Sequence, residues 1–103
     1  YLHISSHTGC APVFDSGLSL AGLARRHSGH PVIANGRLET GDLAQKLLTG
    51  GEADLISLGK AAIADPDWPA KTLRGEQPTA FHPDMISPTA DLASRMAWDW
   101  SQG

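Results

Sequence analysis

Two tetrapeptides, Ala34-Asn35-Gly36-Arg37 and Ser57-Leu58-Gly59-Lys60, are the segments of the sequence best suited to chemistry. Each ends a short apolar run with glycine and follows it at once with a cation. Glycine lacks a Cβ and lets an anion approach backbone N–H groups, while a guanidinium or ammonium adds a charge-assisted hydrogen bond. Two such ends on successive strands suit a phosphate group. In (β/α)8 barrels the loops after strands seven and eight often bind phosphate in this way. The alternative is that both cations are simply solvated, since glycine after a strand is common.

The other reactive side chains read more plainly. His3 and His7 are four apart, but they fall on a strand and the loop after it, so they share no helical face and suggest no metal site. Cys10 follows Gly9 in a loop at the end of the first strand; it reads as a small loop hydrophobe, with a redox role as the alternative. His7, Asp15 and Ser16 lack the G-x-S-x-G context of a nucleophile elbow. Asp65, Asp67 and Asp84 read as caps and turn residues, and Trp68, Trp98 and Trp100 as packing anchors.

Elements that would position the two glycine ends follow from periodicity. Strands are expected near 1–5, 31–35 and 54–58, and the latter two lack polar alternation, as parallel strands buried on both faces do. Between the first two, Leu18, Leu20, Ala21, Leu23 and Ala24 give a helix an apolar face; Asp15 or Ser16 would cap it and Gly29 stop it. Between the second and third, Leu43, Ala44, Leu47 and Leu48 share a face, with Thr40 as N-cap and Gly50-Gly51 as stop. After the third strand come a short turn over 60–64 and a helix opening at Asp65-Pro66-Asp67-Trp68 and ending at Gly75. The tail over 77–103 is irregular to Pro88, with a last helix over Thr89 to Trp98 using Leu92, Met96 and Trp98 for contacts.

The order β-α-β-α-β-α implies right-handed parallel crossovers, in a small doubly wound domain or in part of a barrel. A barrel of about 250 residues spends about 31 on each βα unit. The 103 residues therefore match about three of eight units. Composition narrows function further. The 8 Lys+Arg and 11 Asp+Glu give a formal net charge of −3, which argues against a nucleic-acid or polybasic membrane binder. No apolar run is long enough to span a membrane. A single cysteine permits no internal disulfide, so a cytoplasmic setting is expected.

The stretch Pro31-Val-Ile-Ala-Asn-Gly-Arg-Leu-Glu-Thr, then Ala44 to Leu48, then Ala53-Asp-Leu-Ile-Ser-Leu-Gly-Lys-Ala-Ala-Ile-Ala-Asp-Pro-Asp-Trp-Pro resembles the C-terminal part of the Old Yellow Enzyme family of NADH:flavin oxidoreductases and ene-reductases. The resemblance covers about residues 31–76, and Tyr1 to Ser5 looks like the family's sixth strand. It implies an α/β fold, the last three βα units of a TIM (β/α)8 barrel, with residues 1–103 as its FMN-phosphate-binding portion. It also implies FMN as cofactor, NAD(P)H as reductant and an electrophilic alkene or related acceptor as substrate. By position it assigns the FMN phosphate to Asn35, Gly36 and Arg37, then Leu58, Gly59 and Lys60. Lys60 departs from the arginine usual in the family, exchanging a bidentate fork for a point charge.

The family's flavin-ring, substrate-anchoring and proton-donor residues come from earlier strands, and Tyr1 does not match that donor. No Met opens the chain, so the expectation is a C-terminal piece that is inactive alone. The alternative reading is a small non-enzymatic α/β module that binds a phosphorylated ligand or forms homo-oligomers through exposed strand edges.

Overall fold

The computed structural model describes all residues from Tyr1 to Gly103, in two units, Tyr1–Leu58 and Gly59–Gly103. The first unit runs β1 (Leu2–Ser5), α1 (Leu20–Ser28), β2 (Val32–Asn35), α2 (Gly41–Thr49) and β3 (Leu55–Ile56). Its three strands form one parallel sheet in the order β1-β2-β3, with Leu2 opposite Val32 and Ile33 opposite Leu55. β3 is shorter than its apolar run suggests, but pairing continues on both sides of it: Asp54 N–H donates to the Val32 carbonyl and Ser57 N–H to the Ala34 carbonyl, each at 2.9 Å.

Strand order that never reverses, combined with right-handed crossovers, puts both helices on one side of the sheet. The core agrees. Ala21 and Ala24 of α1 and Leu43 and Leu47 of α2 pack with Leu2, Ile4, Val32, Ala34 and Ile56, which alternate along the strands and so share a face. The opposite face carries His3, Ser5, Ile33, Asn35 and Leu55, and Leu55 is 61% exposed. Within these residues one face of β2 and β3 is covered by helices, and the other, which includes Ile33 and Leu55, is open.

Local chemistry explains the helix ends. α1 begins later than expected, and its cap is Ser19, whose Oγ accepts from Gly22 N–H at 3.0 Å, not Asp15 or Ser16. Those two residues and Leu18 belong to a reversal closed by Val13 N–H to the Leu18 carbonyl at 2.9 Å and by the Pro12–Ser19 bridge. Ser16 spends its hydroxyl inside that turn, donating to the Val13 carbonyl at 2.7 Å. Gly29 ends α1 at φ +70, where glycine avoids the Cβ penalty of the left-handed region. Thr40 caps α2 and Gly50-Gly51 follow its end. Within α2, Ala44 and Leu47 are buried while Leu48, at the margin of the apolar stripe, is exposed.

Arg25 on α1 forks onto Asp54, Nε to Oδ2 at 3.0 Å and Nη2 to Oδ1 at 3.2 Å, and Nη1 donates to the Gly51 carbonyl. Asp54 Oδ2 also accepts from Val32 N–H at 2.8 Å. Arg25, and then the Val32 N–H, hold the Asp54 carboxyl below its ordinary pKa.

The second unit comprises α3 (Lys60–Ala64), α4 (Trp68–Leu73), a 3-10 turn over Pro83–Ile86 and α5 (Leu92–Ser101). Asp65 organises it. Its carboxylate is almost inaccessible and accepts from Lys71 Nζ at 2.6 Å, Thr79 N–H at 2.8 Å and Asp67 N–H at 3.1 Å. The Asp67 bond closes a turn that delays α4 to Trp68, so Pro69 rather than Pro66 lies in its first turn. Trp68 is buried, Trp98 stacks on His82, and Trp100 is 77% exposed, so the last is not a packing anchor. α5 starts at Leu92 because Asp91 caps it through Ser94 N–H; this turns Leu92 outward, against expectation, and sets Ser94 inward beside the docking side chain of Arg95.

Lys71, and next the Thr79 N–H, pull the Asp65 pKa down to about 2. A carboxyl lowered on folding contributes stability above its unfolded pKa and loses it as pH falls through the folded one. The second unit is therefore expected to weaken between about pH 4 and pH 2. Asp65→Asn should remove most of that acid dependence and lower stability at neutral pH, both readable from Trp fluorescence during urea unfolding. An acid profile identical in the variant would contradict this.

Candidate functional site

The C-terminal ends of the three strands are joined by polar side chains on the open face. Asn35 Oδ1 accepts from Ser5 Oγ at 3.2 Å, and Asn35 Nδ2 donates to the Ser57 carbonyl at 3.1 Å and to Ser57 Oγ at 3.0 Å. His3 Nε2 lies 2.9 Å from Ser57 Oγ. Asn35 thus spends its amide clasping β1 and β3 to β2, and what it offers a ligand is the position of the backbone that follows.

That backbone is unusual. Gly36 has φ +128, and a Cβ there would sit 1.8 Å from the Ser6 carbonyl oxygen. The close approach is fixed by Ser6 N–H to the Asn35 carbonyl at 3.2 Å and by Gly9 N–H to the Gly36 carbonyl at 2.7 Å. Arg37 follows at φ +50, in the left-handed region that a side chain adopts only at some cost. The N–H groups of Gly36 and Arg37 have no backbone acceptor, and the Arg37 guanidinium is exposed and without a partner. The turn therefore combines two amides without a backbone acceptor and an unpaired cation.

At the end of β3, Leu58 packs against the core of the first unit. Gly59 opens the second unit with φ −108, and a Cβ added there would meet nothing within 4 Å. Its missing side chain is not demanded by the chain's own packing. Lys60, the first residue of α3, is exposed and holds its ammonium 5.3 Å from the centroid of the Phe81 ring.

The remaining candidates fall to structural roles. No group of His, Cys, Asp or Glu is arranged to hold a metal ion. Cys10 packs against the core as a small hydrophobe. Asp65 closes the turn before α4, Asp67 stands at the N-cap position of α4 without a side-chain capping bond, and Asp84 sits in the 3-10 turn with its N–H donating to His82 Nδ1. Sequence reasoning missed Ser5 and Ser57 as clasp residues, and it took no site residue from the tail, where Phe81 contacts Lys60. Ser5 and Ser57 could have been found from strand register; a contact between residues 21 apart, with two short helices between them, leaves no such signal.

The fold is that of an α/β protein with parallel strands, two of which are followed by a glycine and a cation. The chain belongs to the NADH:flavin oxidoreductase / NADH oxidase family, whose model matches residues 3–78. The Asn-Gly-Arg and Leu-Gly-Lys strand ends lie inside that match, in accord with the resemblance read from them. Among curated relatives, the chain is 41% identical over 58 residues to a metal reductase of Desulforamulus reducens, covering 56% of this chain and 8% of that protein. It is 40% identical over 47 residues to an NADH oxidase of Thermoanaerobacter brockii, 46% of this chain and 7% of that protein. It is 39% identical over 46 residues to a bilirubin reductase of Mediterraneibacter gnavus, 45% of this chain and 7% of that protein. The matched segments thus span less than a tenth of the length of these relatives. No helix is long and apolar enough to cross a membrane.

Proposed function

We propose that these residues form the FMN-phosphate end of an FMN-dependent NAD(P)H oxidoreductase of the ene-reductase type, built on a (β/α)8 barrel. The observation that carries the ligand is the turn at Gly36-Arg37, with its free amides and unpartnered guanidinium. The barrel is supported by the unreversed strand order with both helices on one face, since a doubly wound sheet reverses its order and covers both faces. The open face, with the Ser5-Asn35-Ser57 clasp and Leu55, corresponds on this reading to the barrel interior.

The residues assigned to the phosphate are Asn35, Gly36 and Arg37 after β2, and Leu58, Gly59 and Lys60 after β3. Gly36 and Arg37 donate backbone N–H groups, Arg37 and Lys60 supply positive charge, Gly59 gives close approach, and Asn35 and Leu58 hold the turns in place. Bound FMN supplies hydride transfer between NAD(P)H and an electrophilic alkene or related acceptor. Three parallel strands do not close a barrel, so the 103 residues alone are expected to bind FMN without turning over NAD(P)H.

Titrating the chain with FMN at low ionic strength, followed by flavin fluorescence, tests the reading. Saturable binding that weakens with added salt supports it, and no binding overturns it. NAD(P)H-dependent alkene reduction by the chain would overturn the division of labour. The 61% exposure of Leu55 favours a second reading, self-association through the open sheet face, in a cytoplasmic module. Light scattering on the eluting chain decides between a homo-oligomer and a monomer.

A further inference from the structure

The tail over 77–103 has no role in the reading above, yet one of its side chains touches a residue assigned to the phosphate. Lys60 Nζ lies 5.3 Å from the centroid of the Phe81 ring, within cation–π range. The ring is held from both sides along the chain. Two residues before it, Thr79 N–H is bound to the buried Asp65 carboxylate at 2.8 Å. Directly after it, His82 stacks on Trp98 of α5, ring centroids 4.5 Å apart and planes 16° from parallel. α5 is in turn fastened to the end of α3: Arg95 donates from Nε to the Ile63 carbonyl at 2.9 Å and from Nη2 to the Ala64 carbonyl at 3.1 Å. The helix that begins with Lys60 and the segment that carries Phe81 are thus tied to each other at several points.

We infer that Phe81 is a positioning residue for the phosphate site: its ring holds the Lys60 ammonium in place, so that a lysine can serve an anion without the rigid fork of an arginine. This rests on the proposed FMN-phosphate role of Lys60. A free lysine loses the rotamer freedom of its four-carbon stem when it engages an anion. A ring face already holding the ammonium reduces that loss, and the gain falls only on ligands that carry the phosphate. The buried Asp65, the His82–Trp98 stack and the Arg95 contacts then act as the frame that keeps the ring under the cation.

The test compares FMN with riboflavin, which differ only in the phosphate, in the unaltered chain and in Phe81→Leu, Lys60→Met and the double variant. Phe81→Leu should weaken FMN by roughly three- to fivefold and leave riboflavin unchanged, Phe81→Trp should restore FMN binding, and Phe81→Leu should add nothing once Lys60 is Met. A further readout needs no variant: in the unaltered chain the Lys60 ε-methylene protons should resonate upfield of those of Lys46 and Lys71 through the ring current. Equal binding of FMN and riboflavin by the unaltered chain overturns the phosphate reading and this inference with it. An FMN preference as large in Phe81→Leu as in the unaltered chain, an equal loss for both flavins, a loss that persists beside Lys60→Met, or unshifted Lys60 protons overturns the inference alone.

Discussion

Gly36→Ala should destabilise the first unit by about 3–5 kcal/mol, the sum of backbone strain and overpacking. The methyl group would enter at 1.8 Å from the Ser6 carbonyl oxygen, 2.9 Å from its carbonyl carbon and 3.1 Å from Gly9 nitrogen, all of them backbone. No side-chain rotation relieves such a contact, so the loop after β1 has to move. Movement breaks the 2.7 Å bond from Gly9 N–H to the Gly36 carbonyl, and φ +128 remains unfavourable for alanine afterwards. Gly59→Ala is the matched control, because its φ is −108 and the added Cβ meets nothing within 4 Å. Urea unfolding followed by circular dichroism should show a large fall in midpoint for the first variant and almost none for the second. Equal midpoints would show that the close approach of the two loops does not exist in solution. Gly59→Ala should nonetheless weaken FMN under the proposed assignment of Gly59 to the phosphate.

Arg37→Ala should weaken FMN by about ten- to a hundredfold, the worth of a hydrogen bond to a charged group, while riboflavin binding stays as it was. The guanidinium has no partner within the chain, so its removal leaves no buried group unsatisfied and should not alter stability measurably. Arg37→Lys should recover part of the loss, because charge is kept and the fork is not. The contrast with Arg25 is useful. Arg25 is committed to Asp54 and the Gly51 carbonyl, so Arg25→Ala should lower stability without a phosphate-specific effect on flavin binding. A fall in FMN and riboflavin affinity together in Arg37→Ala would remove Arg37 from the phosphate contacts.

Much of this was legible in the sequence because the relevant signals are local. Gly29 after Arg25-Arg26-His27, Thr40 before Leu43 and the apolar runs around Val32 and Leu55 each report on their own few residues, and the structure places strands and helix ends there. The start of α1 was misread because Asp15, Ser16 and Ser19 are all good caps, and the choice among them was made by the reversal that bridges Pro12 to Ser19. Exposure of Leu92 and Trp100 likewise depends on which face of α5 docks, and the Arg95 contacts to α3 decide that. At the site, the glycine-cation pattern marked Gly36-Arg37 and Gly59-Lys60, but it could not show that one glycine is sterically required and the other is not. Nor could it show that the Asn35 amide is consumed in joining strands, because that depends on the register of Ser5 and Asn35 and on the pairing beside Ser57.

The phosphate is the central claim, and the direct measurement is a pair of titrations of the unaltered chain, one with FMN and one with riboflavin, under the same low-salt buffer. Two charge-assisted contacts and free backbone amides predict that FMN binds at least about thirtyfold more tightly, with a preference that shrinks as salt is added. Equal affinities for the two flavins, or binding of neither, would contradict the account.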